Sequence, residues 1–231
     1  MEFWNIIKED FLEPKRQDPA FNSIIEIFFN YPGVWAVINH RFAHFFYIKG
    51  FRRIARIMAG ISRFFTGVDL HPAAKLGRRV FLDHATGIVI GETAEIGDRV
   101  LLYQGVTLGG VSLDKGKRHP TLKEGVVVGG GAKILGNITI GKNSKIGANS
   151  VVVKNVPANC TAVGIPARVL GSCDKTPLSH NKIPDINKEL FAYLIQRLQI
   201  LEKATLKDDD MIQKDDDLEK LYDKYLKSLN K

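Results

Sequence analysis

The stretch "LKEGVVVGGGAKILGNITIGKNSKIGANSVV", Leu122–Val152, decides how this chain folds. Leu122, Val128, Ile134, Ile140, Ile146 and Val152 stand six residues apart. The same period runs back through Ile90, Ile96, Leu102 and Leu108, and before them through Leu70, Leu76 and Leu82. All thirteen positions are Leu, Ile or Val, and glycine often follows, as at Gly91, Gly97, Gly129 and Gly141. The fifth position of a unit is usually small or β-branched, as at Ala74, Val80, Thr86, Ala94 and Ala132. A six-residue period matches neither an amphipathic helix nor a long alternating strand. It fits a short strand plus a corner, with three such units closing one triangular turn of a parallel β-helix. Each unit then sends one aliphatic side chain inward, and glycine occupies places where a Cβ would crowd the corner.

Two breaks interrupt the lattice. Ile88 and Val89 read as a two-residue insertion after "LDHATG". The segment Gly110–Thr121, "GVSLDKGKRHPT", cannot join a coil and is expected to loop outward, carrying Arg118 and His119.

The flanks are helical in pattern, so the fold class is α+β. An N-terminal helical domain spans 1–67, the β-helix 68–172, and a linker with a helical extension 173–231. Phe21, Ile24, Ile25 and Phe28 form one apolar stripe, Trp35, Ile38, Phe42 and Phe45 another, and Ile54, Ile57, Ile61 and Phe64 a third. His40 and His44 share a helix face but lack the HExxH pattern, so they read as residues at the core edge. In the extension, Ile186, Leu190, Tyr193, Leu194, Leu198 and Leu201 predict a helix of a few turns. Asp208–Asp210 and Asp215–Asp217 read as solvated linker, and "LEKLYDKYLKSL" as a last amphipathic helix.

The 231 residues carry a net charge of +8, and the excess concentrates in residues 67–172, at +6. That field suits a phosphate-bearing ligand. The basic residues are scattered and show no nucleic-acid motif, so no nucleic acid is expected as a partner. No eighteen-residue apolar run suggests a membrane span. The N-terminus does not read as a secretory signal, and two cysteines, Cys160 and Cys173, are too few for a disulfide framework. The cytoplasm is the expected location.

Chemistry concentrates in "VDLHPAAKLGRRVFLDHATG", Val68–Gly87. Asp69 precedes the inward Leu70, and His84 follows the inward Leu82 by two, so both side chains are expected to face outward. Fifteen residues separate them, three short of an eighteen-residue coil. That offset brings them together within one chain or places both at a groove between chains, and the spacing leaves both arrangements open. A histidine with a carboxylate partner is a general-base pair able to activate an alcohol. No GxSxG nucleophile motif is present, so direct attack by an acceptor hydroxyl is the simpler chemistry.

The repeat resembles the hexapeptide acyltransferases, and "DLHP", "LDHATG", "LGG", "GKRHP" and "VGIPARV" in this order resemble the serine O-acetyltransferases within them. The resemblance covers about residues 18–172. It implies a left-handed coil, which the general crossover rule would not give, and assembly as a trimer; pairing of two trimers through the N-terminal helices stays open, since this N-terminal region is shorter than in long-form enzymes. It implies acetyl transfer from acetyl-CoA to the hydroxyl of L-serine, with no metal, for cysteine biosynthesis. His84 then matches the general base and Asp69 its carboxylate partner. Asp83 and Asp18 match acids that hold the serine amino group, while Arg118 and His119 match the pair that meets its carboxylate. This division suits a zwitterion. Gly110, Gly130 and Ala148 match positions along the acetyl-CoA groove, and Lys145 and Arg168 are candidates for its phosphate end. His71 reads as a corner residue, and Glu92 and Gln104 as supporting groups. L-cysteine, shaped like serine, is expected as a feedback inhibitor in the same clamps.

Two departures stand out. Val111 follows "LGG" where the family often has Thr, and the chain ends "KSLNK" rather than in isoleucine. Docking of O-acetylserine sulfhydrylase on the C-terminus is therefore not expected. Three other functions compete: a sugar or antibiotic O-acetyltransferase, a zinc carbonic anhydrase using His71, His84 and His119, and a scaffold that only binds partners. The Asp69–His84 pair argues against a scaffold.

Overall fold

The computed structural model describes residues 2–169 and 186–205. Five helices open the chain: α1 (Glu2–Phe11), α2 (Pro14–Gln17), α3 (Glu26–Asn30), α4 (Pro32–Ile48) and α5 (Arg52–Thr66). A three-faced parallel solenoid follows. Face one stacks Asp69–Leu70, Val89–Ile90, Thr107–Gly109, Lys133–Leu135 and Val151–Val152. Face two stacks Lys75–Leu76, Glu95–Ile96, Thr121–Leu122 and Thr139–Ile140. Face three stacks Phe81–Asp83, Leu101–Tyr103, Val127–Val128, Lys145–Ile146 and Thr161–Gly164, and Ala167–Val169 closes it antiparallel. The helices α1–α5 and the solenoid form one compact unit; α6 (Ile186–Thr205) belongs to a second and is the helix predicted for the extension. The linker before α6, and the acidic runs, closing helix and terminal "KSLNK" after it, lie outside the described residues. No helix among the described residues is long and apolar enough to cross a membrane.

The lattice residues behave as predicted. Twelve of the thirteen are buried in one cluster, and Leu76 packs against it half-buried. Each fully buried aliphatic side chain contributes roughly 1.5–3 kcal/mol, so the column supplies most of the driving force. Cys160, at the foot of that cluster, is disulfide-bonded.

The registers locate both breaks. Val127 pairs with Lys145 eighteen residues on, the regular coil. Phe81 pairs with Leu101, twenty residues on, so this coil is two residues longer. Asp83 still pairs with Tyr103, and the Gly105 N–H reaches the Thr86 carbonyl at 2.9 Å. The two extra residues are therefore His84 and Ala85. Ile88 and Val89, which the sequence suggested as the insertion, occupy ordinary rungs, with Ile88 buried and Val89 paired to Asp69 and Thr107. Thr86 is exposed at the corner rather than at an inward lattice position. Any aliphatic residue can pass for a rung; of the inserted pair, His84 turns to solvent while Ala85 is buried against the core, and both hold left-handed φ values, 55° and 50°. The second break spans a coil of twenty-six residues, from Thr107 to Lys133. Thr121 itself rejoins the sheet, pairing with Glu95 and Thr139.

Two of the contacts that dock the helices bear on the site. Gly33 of α4 lies against Leu82, where an added Cβ would overlap the Leu82 carbonyl. Arg41 of α4 pairs with the buried Asp10 at 2.9 Å and donates to the carbonyls of Leu76 (2.7 Å) and Gly77 (2.5 Å). Burial pushes the Asp10 carboxyl up despite Arg41.

His40 sits beneath the His71–Ala74 corner, stacked on His44 with ring centroids 5.6 Å apart. Neither of its ring nitrogens makes a well-formed hydrogen bond among the described residues, and the nearby His71 and Ala74 backbone only partly offsets its burial. Burial, with the charge of Arg41, pushes its pKa down to about 3. The unfolded chain takes up this proton below about pH 6.5 while the folded one does not until near 3. Stability is thus complete above pH 6.5 and falls with acid by roughly 1.4 kcal/mol per pH unit. Urea unfolding between pH 6 and 5 is expected to show His40→Leu losing this slope relative to the parent protein, by about one proton.

Candidate active site

Two chemical clusters sit at two corners of the solenoid. The first lies where face three turns into face one. Asp83 ends its strand there and His84 follows in the bulge, 75% exposed, its Nε2 3.9 Å from Asp83 Oδ1. The close approach of Gly33 to Leu82 places Tyr31 and Asp18 beside them. The Tyr31 hydroxyl donates to Asp18 Oδ2 at 2.7 Å, and the Ala20 N–H donates to Asp18 Oδ1 at 2.7 Å. Burial raises the Asp83 carboxyl, as does the neighbouring Asp18, while His84 opposes the shift. Burial also raises the Tyr31 and Tyr103 hydroxyls, helped in each case by Asp18 and Asp83. Two carboxylates and an outward imidazole, walled by two tyrosines, form a pocket edge suited to an ammonium group.

Above this corner runs a groove of about 480 Å³ lined by Tyr103, Gln104, Gly105, Gly129–Gly131, Ala148 and Asn149. A Cβ at Gly129 would meet the Ala148 backbone nitrogen at 2.6 Å, so the floor must be glycine. Gly130, Ala148 and Gln104 line this groove. Lys145 does not line the groove; it is 8% exposed on face three. Arg168 is exposed on the closing antiparallel strand.

The second cluster lies where face one turns into face two, at the root of the Gly110–Pro120 loop. Arg118 Nη2 donates to Glu92 Oε2 at 2.6 Å, and that bond holds the Glu92 carboxyl below its usual range. The His119 imidazole lies over Gly91 and beside Gly110. Burial lowers its pKa, with Arg118 next in effect. Thr93 binds the Arg118 and His119 backbone and the His119 ring together. His71 is a corner residue as read: its Nδ1 accepts the Ala73 N–H at 3.0 Å and its ring meets the edge of Tyr47.

Asp69 stands on the outer side of face one, and Arg63 of α5 holds its Oδ2 at 2.9 Å. Among the described residues of one chain, Asp69 therefore pairs with Arg63 and His84 lies nearest Asp83. Sequence reasoning passed over Tyr31, Tyr103 and Thr93. Tyr31 carries no local signal, since its role depends on a partner thirteen residues away. Thr93 looks like any small residue at a solenoid corner.

An outward histidine, a glycine-floored groove and paired acids on a hexapeptide solenoid define a hexapeptide-repeat acyltransferase. The family of bacterial transferase hexapeptides (six repeats) matches residues 119–154. Serine acetyltransferase of Bacillus pumilus (strain SAFR-032) is 49% identical over 202 residues, covering 86% of this chain and 93% of that protein. The crystal structure of serine acetyltransferase from Brucella abortus strain S19 superimposes with a TM-score of 0.72 at 43% identity, over 76% of this chain and 71% of that one. Soybean serine acetyltransferase complexed with serine gives 0.70 at 42% identity, over 73% and 69%. Serine acetyltransferase structures in complex with CoA and with cysteine give 0.69 and 0.71, both at 41% identity. The CoA complex covers 73% of this chain and 70% of its own, the cysteine complex 74% and 70%. The chain belongs to the serine acetyltransferase family, and its coil is of that family's left-handed type.

Two outcomes follow from this geometry. Deleting His84 and Ala85 restores an eighteen-residue coil and removes two left-handed residues, each costing roughly 1–3 kcal/mol. Because Ala85 is also lost from the core, the strain relief is partly offset; the deletion variant is expected to keep a cooperative calorimetric transition, yet to lack turnover. At Gly91 an added methyl would overlap the His119 imidazole. Gly91→Ala is expected to cut kcat by about 10²-fold, the scale of a 1 Å misplacement, with circular dichroism unchanged.

Proposed function

We propose that the chain transfers acetyl from acetyl-CoA to L-serine, giving O-acetyl-L-serine and CoA. The observation that carries this reading is the gathering of Asp18 and Asp83 beside the exposed His84. The two acids hold the serine ammonium, which brings the hydroxyl to the imidazole. His84 takes the hydroxyl proton as the oxygen attacks the thioester carbonyl. The C–S bond then breaks, and the departing sulfur recovers the proton from His84. The glycine-floored groove takes the pantetheine arm, and Arg118 and His119 receive the serine carboxylate.

This division needs a second copy of the chain. The His84 corner and the Arg118–His119 corner lie at opposite ends of face one. From Gly87 to Gly91 the backbone runs roughly 13 Å at 3.3 Å per strand residue, farther than one serine spans. A neighbouring copy that sets its second corner against this chain's first would complete the site. It would also put Gly110 beside the groove and give His84 access to an Asp69 of either chain. A homotrimer fits such pairing, because each chain offers one corner of each kind. The exposed Ile57, Phe64 and Phe65 of α5 supply apolar surface for assembly. L-cysteine, with the same ammonium and carboxylate, would occupy the serine clamps. Since CoA is an intracellular substrate, this reading assigns the chain to the cytoplasm.

Purified protein mixed with acetyl-CoA and L-serine is expected to release CoA, followed by thiol titration. Release with a sugar acceptor but not with serine would overturn the assignment. His84→Ala is expected to lower kcat by roughly 10²–10⁴-fold, the span of a general-base contribution, while sedimentation of the assembly is unchanged.

A further inference from the structure

Thr93 makes an unusual set of bonds for a corner residue. Its Oγ1 accepts two backbone N–H groups, from Arg118 at 3.0 Å and from His119 at 3.1 Å. Those two bonds use both lone pairs of a hydroxyl. The hydroxyl proton is left to point at the remaining neighbour, His119 Nδ1, 2.8 Å away. The Thr93 backbone N–H also donates to that nitrogen, at 3.2 Å. One residue thus aims two donors at Nδ1. A proton there would face both of them, so Nδ1 is an acceptor and the proton of the neutral ring sits on Nε2.

Nε2 makes no hydrogen bond among the described residues, although His119 as a whole is only 8% exposed. It lies above Gly91 and Gly110, both without side chains. A buried ring with one nitrogen doubly held and the other unengaged is built to donate to something that arrives later.

We infer that Thr93 is a positioning residue that locks His119 as a neutral Nε2–H donor to a substrate oxygen. The two histidines of the site then have fixed and different duties: His84 moves a proton, and His119 keeps its own. This deepens the acetyl-transfer reading and rests on it for the identity of the oxygen. The charged and titratable groups facing His119 are Arg118 and Lys117 on its own loop, and Glu92 and His71 from the neighbouring coils. Lys117 is itself anchored to the Thr93 carbonyl, at 2.6 Å. The cations and burial outweigh Glu92, which agrees with a ring that stays neutral.

The test uses the full chain with 15N-labelled histidine, His119→Asn assigning the resonance. The parent protein is expected to show the Nε2–H tautomer alone in its neutral ring, with His119 titrating below the ordinary histidine range. Thr93→Ser keeps the hydroxyl and is expected to match it. Thr93→Val keeps the N–H but loses the hydroxyl. It is expected to shift the His119 titration upward and to lower kcat about tenfold, with KM for acetyl-CoA unchanged. An Nδ1–H tautomer in the parent protein overturns the inference. So does a Thr93→Val variant whose His119 titrates as in the parent, whatever its melting temperature. Should Thr93→Val not fold, the parent and Thr93→Ser spectra still decide. Because the spectra need no substrate, failure of the serine assay would leave this result standing on its own.

Discussion

Rung-to-rung hydrogen bonding fixes everything else in this molecule. Each coil must place its strands directly over those of the coil before, or the ladder breaks. The Lys133 N–H meets the Ser150 carbonyl at 2.8 Å and the Val127 N–H meets the Ser144 carbonyl at 3.0 Å, and similar bonds run along every face. The lattice therefore separates structure from chemistry: lattice positions pack, and of the surplus pair Ala85 joins the core while His84 reaches solvent. His84 is surplus, and so are most of the residues that lead up to Arg118.

The helices serve the same end. Gly33 brings α4 onto the strand that ends at Asp83, and Tyr31, two residues earlier at the helix cap, steers Asp18 to the same corner. The buried Arg41–Asp10 pair, with its two carbonyl bonds, holds this arrangement at a different corner. Such a pair adds little net stability over an apolar contact of equal size, but breaking it would strand a buried charge. Its effect is to fix one docking angle, and the acid cluster depends on that angle.

The fold was legible because thirteen aliphatic positions repeat without exception, and burial enforces that repetition. The outward orientation of His84 and Asp69 followed from the same count. The insertion was legible only in length. Ile88 and Val89 satisfy the lattice as well as any aliphatic pair, so the sequence could not tell that His84 and Ala85 were the extra residues. The burial of Lys145 was also not legible, since lysines on solenoids are usually exposed and this one is not. Tyr31 and Thr93 were invisible because a hydroxyl's partner is set by tertiary contact. The pairing of Asp69 with Arg63 was hidden for the same reason.

The last coil turns early. Lys145 pairs with Thr161, sixteen residues on, and the chain then folds back antiparallel through Ala167–Val169. At the other end, α4 and α5 pack on the first coil. A stack of parallel strands is otherwise a template that any similar edge could extend. With face three reversed at one end and the first coil roofed by helices at the other, fewer edges are open to growth along the axis. The two chemical corners are displayed on the flanks.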